Sequence, residues 1–321
     1  MNPESFKRWT LMSLLALLVM VPSLVEAEVS LSRIVVFGTS LSDSGNAFAL
    51  TGQASTPPYD SLDPFLVPDA PYAKGGHHLS NGATWIEQFA RPLGLAGSVR
   101  PAFQSSNPNA TNYAVGAARA REVGFNDLSD QVSMFLSDFG GVAPSDALCV
   151  IEMGSNDVRD ALVALGSGGD AGAIINAAIG AIGDSITALY AAGARNFIVT
   201  NVPNLGLLPA VRILDSINPG AALAGESLAL SFNSGLATLL GFLSGLPDIE
   251  IAVLDIFQVV NALVANPEGF GLTEVQQACV TPNIPPFACQ RPDEFLFWDG
   301  IHPTEAVHGI FAQEAAAVLN L

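Results

Sequence analysis

Ile34-Val35-Val36-Phe37-Gly38-Thr39-Ser40-Leu41-Ser42-Asp43-Ser44-Gly45-Asn46 is the stretch on which the reading of this chain turns. Four apolar residues form a short buried strand, a glycine follows, and a serine stands at the start of a polar, turn-like segment. That order carries a hydroxyl to the carboxyl end of a strand, where open α/β sheets place their ligands. Working outward, similar apolar runs bounded by turn residues occur at 148–152, 197–201 and 249–254. Helical patterns separate them at 85–90, 157–165, 171–192 and 222–246, and a last one at 304–319 closes the chain. Strands alternating with helices predict a parallel sheet covered on both faces. Two long stretches, 51–79 and 261–293, are rich in proline and glycine and read as irregular loops, functional or disordered. No repeat and no linker divides the chain.

The first 27 residues read as a secretory signal peptide. Lys7 and Arg8 form a positive start, 11–21 an apolar core too short to span a bilayer comfortably, and Val25-Glu26-Ala27 a small-residue cleavage site. A retained N-terminal anchor is the competing reading. Residues 28–321 are then expected to form a single domain in a secreted or periplasmic protein. The net charge of -18 repels phosphate backbones, which excludes nucleic acid as a partner. Only 13% of the residues are charged, so a large core can be buried. Residues 227–247 carry no charge, but Leu228, Phe232, Leu236, Leu240 and Leu243 recur at helical spacing, which favours a helix packed on a sheet over lipid contact. Cys149 lies in an apolar run and reads as a buried strand residue. Cys279 and Cys289 flank a proline-rich loop; in an exported protein such a pair forms a disulfide, with two free thiols or a metal pair as the alternatives.

A serine needs a base to become a nucleophile. The chain has four histidines. His77 and His78 fall in an irregular loop, and His308, three residues after Glu305, falls in the last helical pattern, where such a pair is ordinarily a solvated face. His302 is different: Phe297-Trp298-Asp299-Gly300-Ile301-His302-Pro303 places an aspartate three residues before it across a turn. Asp299 can accept from Nδ1 of His302 and leave Nε2 for Ser40; a structural capping histidine is the plainer alternative. Donors for an oxyanion are offered by two turns. In Asn112-Tyr113-Ala114-Val115-Gly116-Ala117 a glycine allows close backbone approach, and in Gly154-Ser155-Asn156-Asp157 an asparagine amide follows a strand.

Taken in order, these blocks resemble the SGNH hydrolases, the GDSL lipase/esterase family, and most nearly its exported bacterial lipases and phospholipases. Ser40, Gly116, Asn156 and the Asp299/His302 pair match that family's four blocks across nearly the whole chain. The resemblance implies a three-layer α/β/α sandwich with a flavodoxin-like parallel sheet of about five strands. It also implies a secreted serine esterase or lipase acting through an acyl-enzyme. Ser40, His302 and Asp299 are then nucleophile, base and orienter, and Ser40, Gly116 and Asn156 form the oxyanion hole. This chemistry needs no metal or organic cofactor. Its partners are a small-molecule or lipid ester and a transient lipid surface. Two positions depart from the pattern: Thr39 stands where the family has aspartate, and Ala117 where many members have a second glycine; alanine can still supply that backbone N–H, so Ala117 is the near alternative to Gly116 as donor. Gly183-Asp184-Ser185-Ile186 mimics the first block but lies inside a helical pattern with no strand before it, so Ser185 is rejected as nucleophile. Acyl transfer to an alcohol, polysaccharide deacetylation and non-catalytic binding on the same fold are the competing functions. Tyr59, Phe65, Leu66, Tyr72, Phe270 and Phe287 either line an acyl site or, more plainly, pin the long loops to the body.

Overall fold

Burial on both faces explains why the apolar runs are continuous rather than alternating. In the computed structural model, which describes residues 31–104 and 109–321, they form β1 (Arg33–Gly38), β2 (Ala147–Glu152), β3 (Asn196–Thr200) and β4 (Glu250–Leu254). The signal-peptide reading of 1–27 lies outside the described residues. All four strands are parallel, in the order β1-β2-β3-β4. The register sets Val35 beside Cys149, Cys149 beside Phe197 and Phe197 beside Ile251. Every residue of β2 is buried, Cys149 among them, whereas β4 at the edge leaves Val253 exposed.

A fifth extended segment flanks β1 on its other side. Val36 N–H donates to Thr111 O (2.9 Å), Tyr113 N–H to Val36 O (2.8 Å) and Val115 N–H to Gly38 O (3.1 Å). Counted along the chain, the sheet therefore runs 2-1-3-4-5, the flavodoxin-like order. The chain leaves β1 toward one edge, returns across it, and proceeds toward the other. The strand order thus reverses beside β1, and the crevice at the carboxyl ends of β1 and β2 is the topological switch point.

The helices are α1 (Asn46–Thr51), α2 (Trp85–Ala90), α3 (Leu128–Asp138), α4 (Ser155–Gly166), α5 (Ala171–Ala191), α6 (Pro209–Ile217), α7 (Ala221–Leu243), α8 (Ile256–Ala265) and α9 (Glu305–Val318). Right-handed crossovers put α2 on one face and the α3, α5 and α7 connections on the other. In agreement, α2 packs on α9, while α5 packs on α3, α4 and α7. α5 is long and apolar enough to cross a membrane, yet Ile175, Ile182, Ile186 and Leu189 on it are buried in the core. The uncharged stretch at 227–247 is largely α7, whose Phe232, Leu236, Leu240 and Leu243 are buried.

The stretch at 261–293 is more regular than its composition suggests. Its first residues continue α8, whose Ile256, Phe257, Val260 and Leu263 form the buried stripe, and β5 (Glu274–Ala278) pairs with β6 (Phe295–Phe297). Cys279 and Cys289 are disulfide-bonded, with Cα atoms 4.9 Å apart. Beside that bridge, Tyr59, Tyr72, Val280 and Trp298 form a second small core, with Phe287 packed against it. These aromatics pin the loops to the body.

Candidate active site

Ser40 follows β1 directly, and its turn is held from several sides. Thr39 donates from its N–H to Glu152 Oε2 (2.9 Å) and from its hydroxyl to the same carboxylate (3.0 Å). Asp43 caps the start of α1: Oδ1 accepts from the N–H of Gly45 (2.8 Å) and Asn46 (2.6 Å), and Oδ2 from that of Ala47 (3.0 Å). Burial raises the Asp43 carboxyl, opposed by these hydrogen bonds.

His302 and Asp299 come together as their spacing predicts. His302 Nδ1 lies 2.7 Å from Asp299 Oδ2, and Asp299 Oδ1 accepts from the N–H of Ile301 (2.9 Å) and His302 (2.8 Å). Tyr72, from the 51–79 loop, donates its hydroxyl to Asp299 Oδ2 at 2.9 Å. Burial, and after it the same carboxylate, pushes the Tyr72 phenol far above its ordinary range. The loop also clamps the turn through its backbone, since Gly300 N–H donates to Leu66 O (2.8 Å), and a Cβ at Gly300 would overlap the Phe65 carbonyl. Asp299 is fully buried. With Nδ1 committed to the carboxylate, Nε2 of His302 is the accepting nitrogen. It is buried and makes no hydrogen bond with a described residue.

Asn156 sits in the first turn of α4, behind Gly154, which has φ 115° and would overlap the Phe232 ring if it bore a Cβ. Asn156 Nδ2 donates to Ala118 O (2.9 Å), which leaves its second amide hydrogen unused by that bond. Asp157, buried and pushed up to about 6 by desolvation, accepts from Ala120 N–H (2.8 Å) and pairs with Arg121 at 3.1 Å. The Asn156-Asp157 pair thus rivets the second block to the third.

In the second block the two candidate donors, Gly116 and Ala117, differ in their hydrogen bonding. The Gly116 N–H donates to Asp43 Oδ2 at 2.8 Å and is therefore occupied. The next N–H, that of Ala117, makes no hydrogen bond with a described residue, nor does that of Ser40. Ala117 has φ 67°, a left-handed conformation that favours glycine. That is the physical reason a second glycine suits this position.

Ser40, Gly116, Ala117, Asn156, Arg159 and His302 all line one cleft of about 110 Å³ at the carboxyl ends of β1 and β2. Residues 67–71 form its opposite wall, and none of the six loop aromatic and apolar residues considered for an acyl site lines it. The remaining histidines stand apart. His308 is fully buried rather than solvated; it accepts from Trp85 N–H at 3.2 Å, and desolvation pulls it down to about 3, so it stays neutral. His78 pairs with Glu87 at 2.9 Å, and His77 stacks on Phe48. Ser185 is buried in the middle of α5, which contributes nothing to the cleft. The sequence reading missed Asp43, Glu152 and Arg159, and it gave Tyr72 only as an acyl-site or loop-pinning residue, without its bond to Asp299. Asp43 alone left a local signal, an aspartate three residues before a helix start.

Residues 34–315 match the GDSL-like Lipase/Acylhydrolase family. A GDSL esterase/lipase of Arabidopsis thaliana is 29% identical over 88% of this chain and 80% of its own length. A second, GDSL esterase/lipase LIP-4 of the same plant, is 26% identical over 99% of this chain and 94% of its own. The phosphatidylcholine-sterol acyltransferase of Aeromonas hydrophila is 24% identical over 98% of this chain and 97% of its own. The chain belongs to the GDSL-like lipase/acylhydrolase family and is a hydrolase acting on ester bonds.

Proposed function

We propose that Ser40 is the nucleophile, His302 the general base and Asp299 the group that orients it. One observation carries this reading: an unpaired, buried Nε2 on a histidine whose Nδ1 is held at 2.7 Å by a carboxylate, in the cleft that Ser40 lines. Ser40 Oγ attacks the ester carbonyl as Nε2 takes its proton. The proton then passes to the departing alcohol, and water repeats the sequence on the acyl-enzyme. The developing oxyanion is met by the N–H groups of Ser40 and Ala117 and by Asn156 Nδ2, donors fixed before substrate arrives. Gly116 positions that set through its bond to Asp43. The absence of a Ser40–His302 hydrogen bond does not count against the assignment, because such contacts tighten in the substrate complex.

The substrates in this reading are acyl esters of lipids or phospholipids, met outside the cytoplasm. The disulfide and the signal-like leader support export. Phe125, 93% exposed on the loop that leaves the Ala117 turn, suits brief contact with a lipid surface. Hydrolysis of p-nitrophenyl esters from acetate to palmitate tests the triad. Replacing Ser40 with alanine is expected to cost at least about 10³-fold in kcat; a variant that keeps full turnover refutes the assignment. The Aeromonas relative's name favours acyl transfer as the second reading. An added alcohol acceptor that diverts product from acid to ester supports transfer, whereas unchanged acid release leaves hydrolysis.

A further inference from the structure

Arg159 belongs to the cleft but to no ion pair. It lies on α4 three residues after Asn156, on the same helical face, and both side chains line the cleft. It is half-buried, and it makes no hydrogen bond or salt bridge with any described residue. The carboxylates nearby are already engaged. Asp160 is shared by Arg119, at 3.0 Å, and by Arg121. Asp157 holds Ala120 and Arg121. Asp63 Oδ1 accepts from the N–H of Phe65 and Val67 at 2.8 and 2.9 Å. Asp69, on the cleft wall, is exposed at the rim, where solvent screens it. Burial and the neighbouring Arg119 disfavour the Arg159 charge, and together they outweigh the attraction of Asp160 and Asp63, neither of which pairs with it. The N-terminal end of α4, which points its own positive pole at the cleft, disfavours that charge as well. A cation left unpaired in such a place is costly, and a ligand anion would remove the cost. In a protein of net charge -18 it is a local exception.

We propose that Arg159 is a specificity-determining residue that selects esters carrying an anionic oxyacid group, phosphate or carboxylate, close to the scissile bond. The planar guanidinium offers such a group two parallel N–H donors. The inference rests on the Ser40 reading above, since it assigns the other end of the same substrate. It separates two sources of the anion, the alcohol side and the acyl side of the ester.

The test uses three glycerol esters with four-carbon acyl groups: neutral monobutyryl glycerol, monobutyryl glycerol 3-phosphate and monosuccinyl glycerol. Wild type, Arg159→Gln and Arg159→Lys are compared by kcat/KM. Wild type is expected to prefer one anionic ester over the neutral one by about tenfold or more. Arg159→Gln is expected to shrink that ratio by about ten- to hundredfold, mainly through KM, and Arg159→Lys to restore part of it. Preference for the phosphate ester places the anion on the alcohol, and preference for the succinyl ester places it on the acyl group. A wild-type ratio near one, or a ratio that Arg159→Gln leaves unchanged, overturns the proposal. Turnover of the preferred ester by Ser40→Ala in parallel keeps the two readings apart, because a variant that retains it defeats the Ser40 assignment. In that event, calorimetric binding of glycerol 3-phosphate and succinate decides on Arg159: binding to wild type that Arg159→Gln abolishes supports it, and no binding overturns it.

Discussion

Thr39 and Glu152 show how one side chain can dictate another across the sheet. Glu152 ends β2 fully inside the protein, and its carboxylate holds the N–H and hydroxyl of Thr39. No cation is paired with it among the described residues, and burial pushes it from 4.5 up to about 7. An aspartate at 39 would set a second carboxylate against the first, so threonine suits this glutamate. A carboxyl raised on folding favours the protonated form, so its contribution to stability is complete below 4.5 and is lost as pH rises to about 7. Thermal melts of wild type and Glu152→Gln between pH 5 and 8 are expected to show the wild type losing Tm relative to the variant, most steeply between 4.5 and 7 and levelling off above 7. A pH-independent difference between the two would mean that Glu152 does not titrate there.

At the scale of elements, the site depends on how closely α4 and α7 approach. Gly154 precedes α4 in a left-handed conformation, and the Phe232 ring of α7 fills the space where a side chain would begin. Gly154→Ala therefore meets two penalties, a strained φ and an overlap, each of about 1–3 kcal/mol. Asn156 is two residues on, so activity should fall together with Tm. Phe232→Leu in the Gly154→Ala background removes the overlap but not the strain, and it should recover part of both losses. Unchanged melting and turnover in the single variant would show that the helix start relaxes freely.

For the whole molecule, the second small core ties the long loops to the Asp299 turn. Tyr72 and Trp298 pack there beside the Cys279–Cys289 bridge, and Tyr72 reaches from it to Asp299. The bridge joins residues 10 apart, a loop whose closure is worth about 3 kcal/mol in the chain-entropy account. Cys279→Ala/Cys289→Ala should lower Tm and should weaken turnover at temperatures where the main sheet is intact. Equal melting of the oxidised and reduced wild type would remove this role.

Much of the architecture was legible in the residues because its causes are local. Continuous apolar runs announced β1 to β4, and helical spacing announced α2, α4, α5, α7 and α9. Asp299 and His302 are three residues apart, so a turn suffices to join them. The segment at 111–115 was not legible as a strand, since its pairing consists of a few bonds to β1 at the sheet edge. What tertiary structure alone decided lies at long separation. Tyr72 bonds Asp299 across 227 residues, Thr39 bonds Glu152 across 113, and Asp43 takes the Gly116 N–H across 73. The sequence by itself determined the sheet, the place of Ser40 after β1 and that of His302 beside Asp299, because periodicity and short turns act over a few residues. Which N–H groups stay free and which arginine stays unpaired were decided only by packing, because a hydrogen bond goes to whichever partner the fold brings within reach.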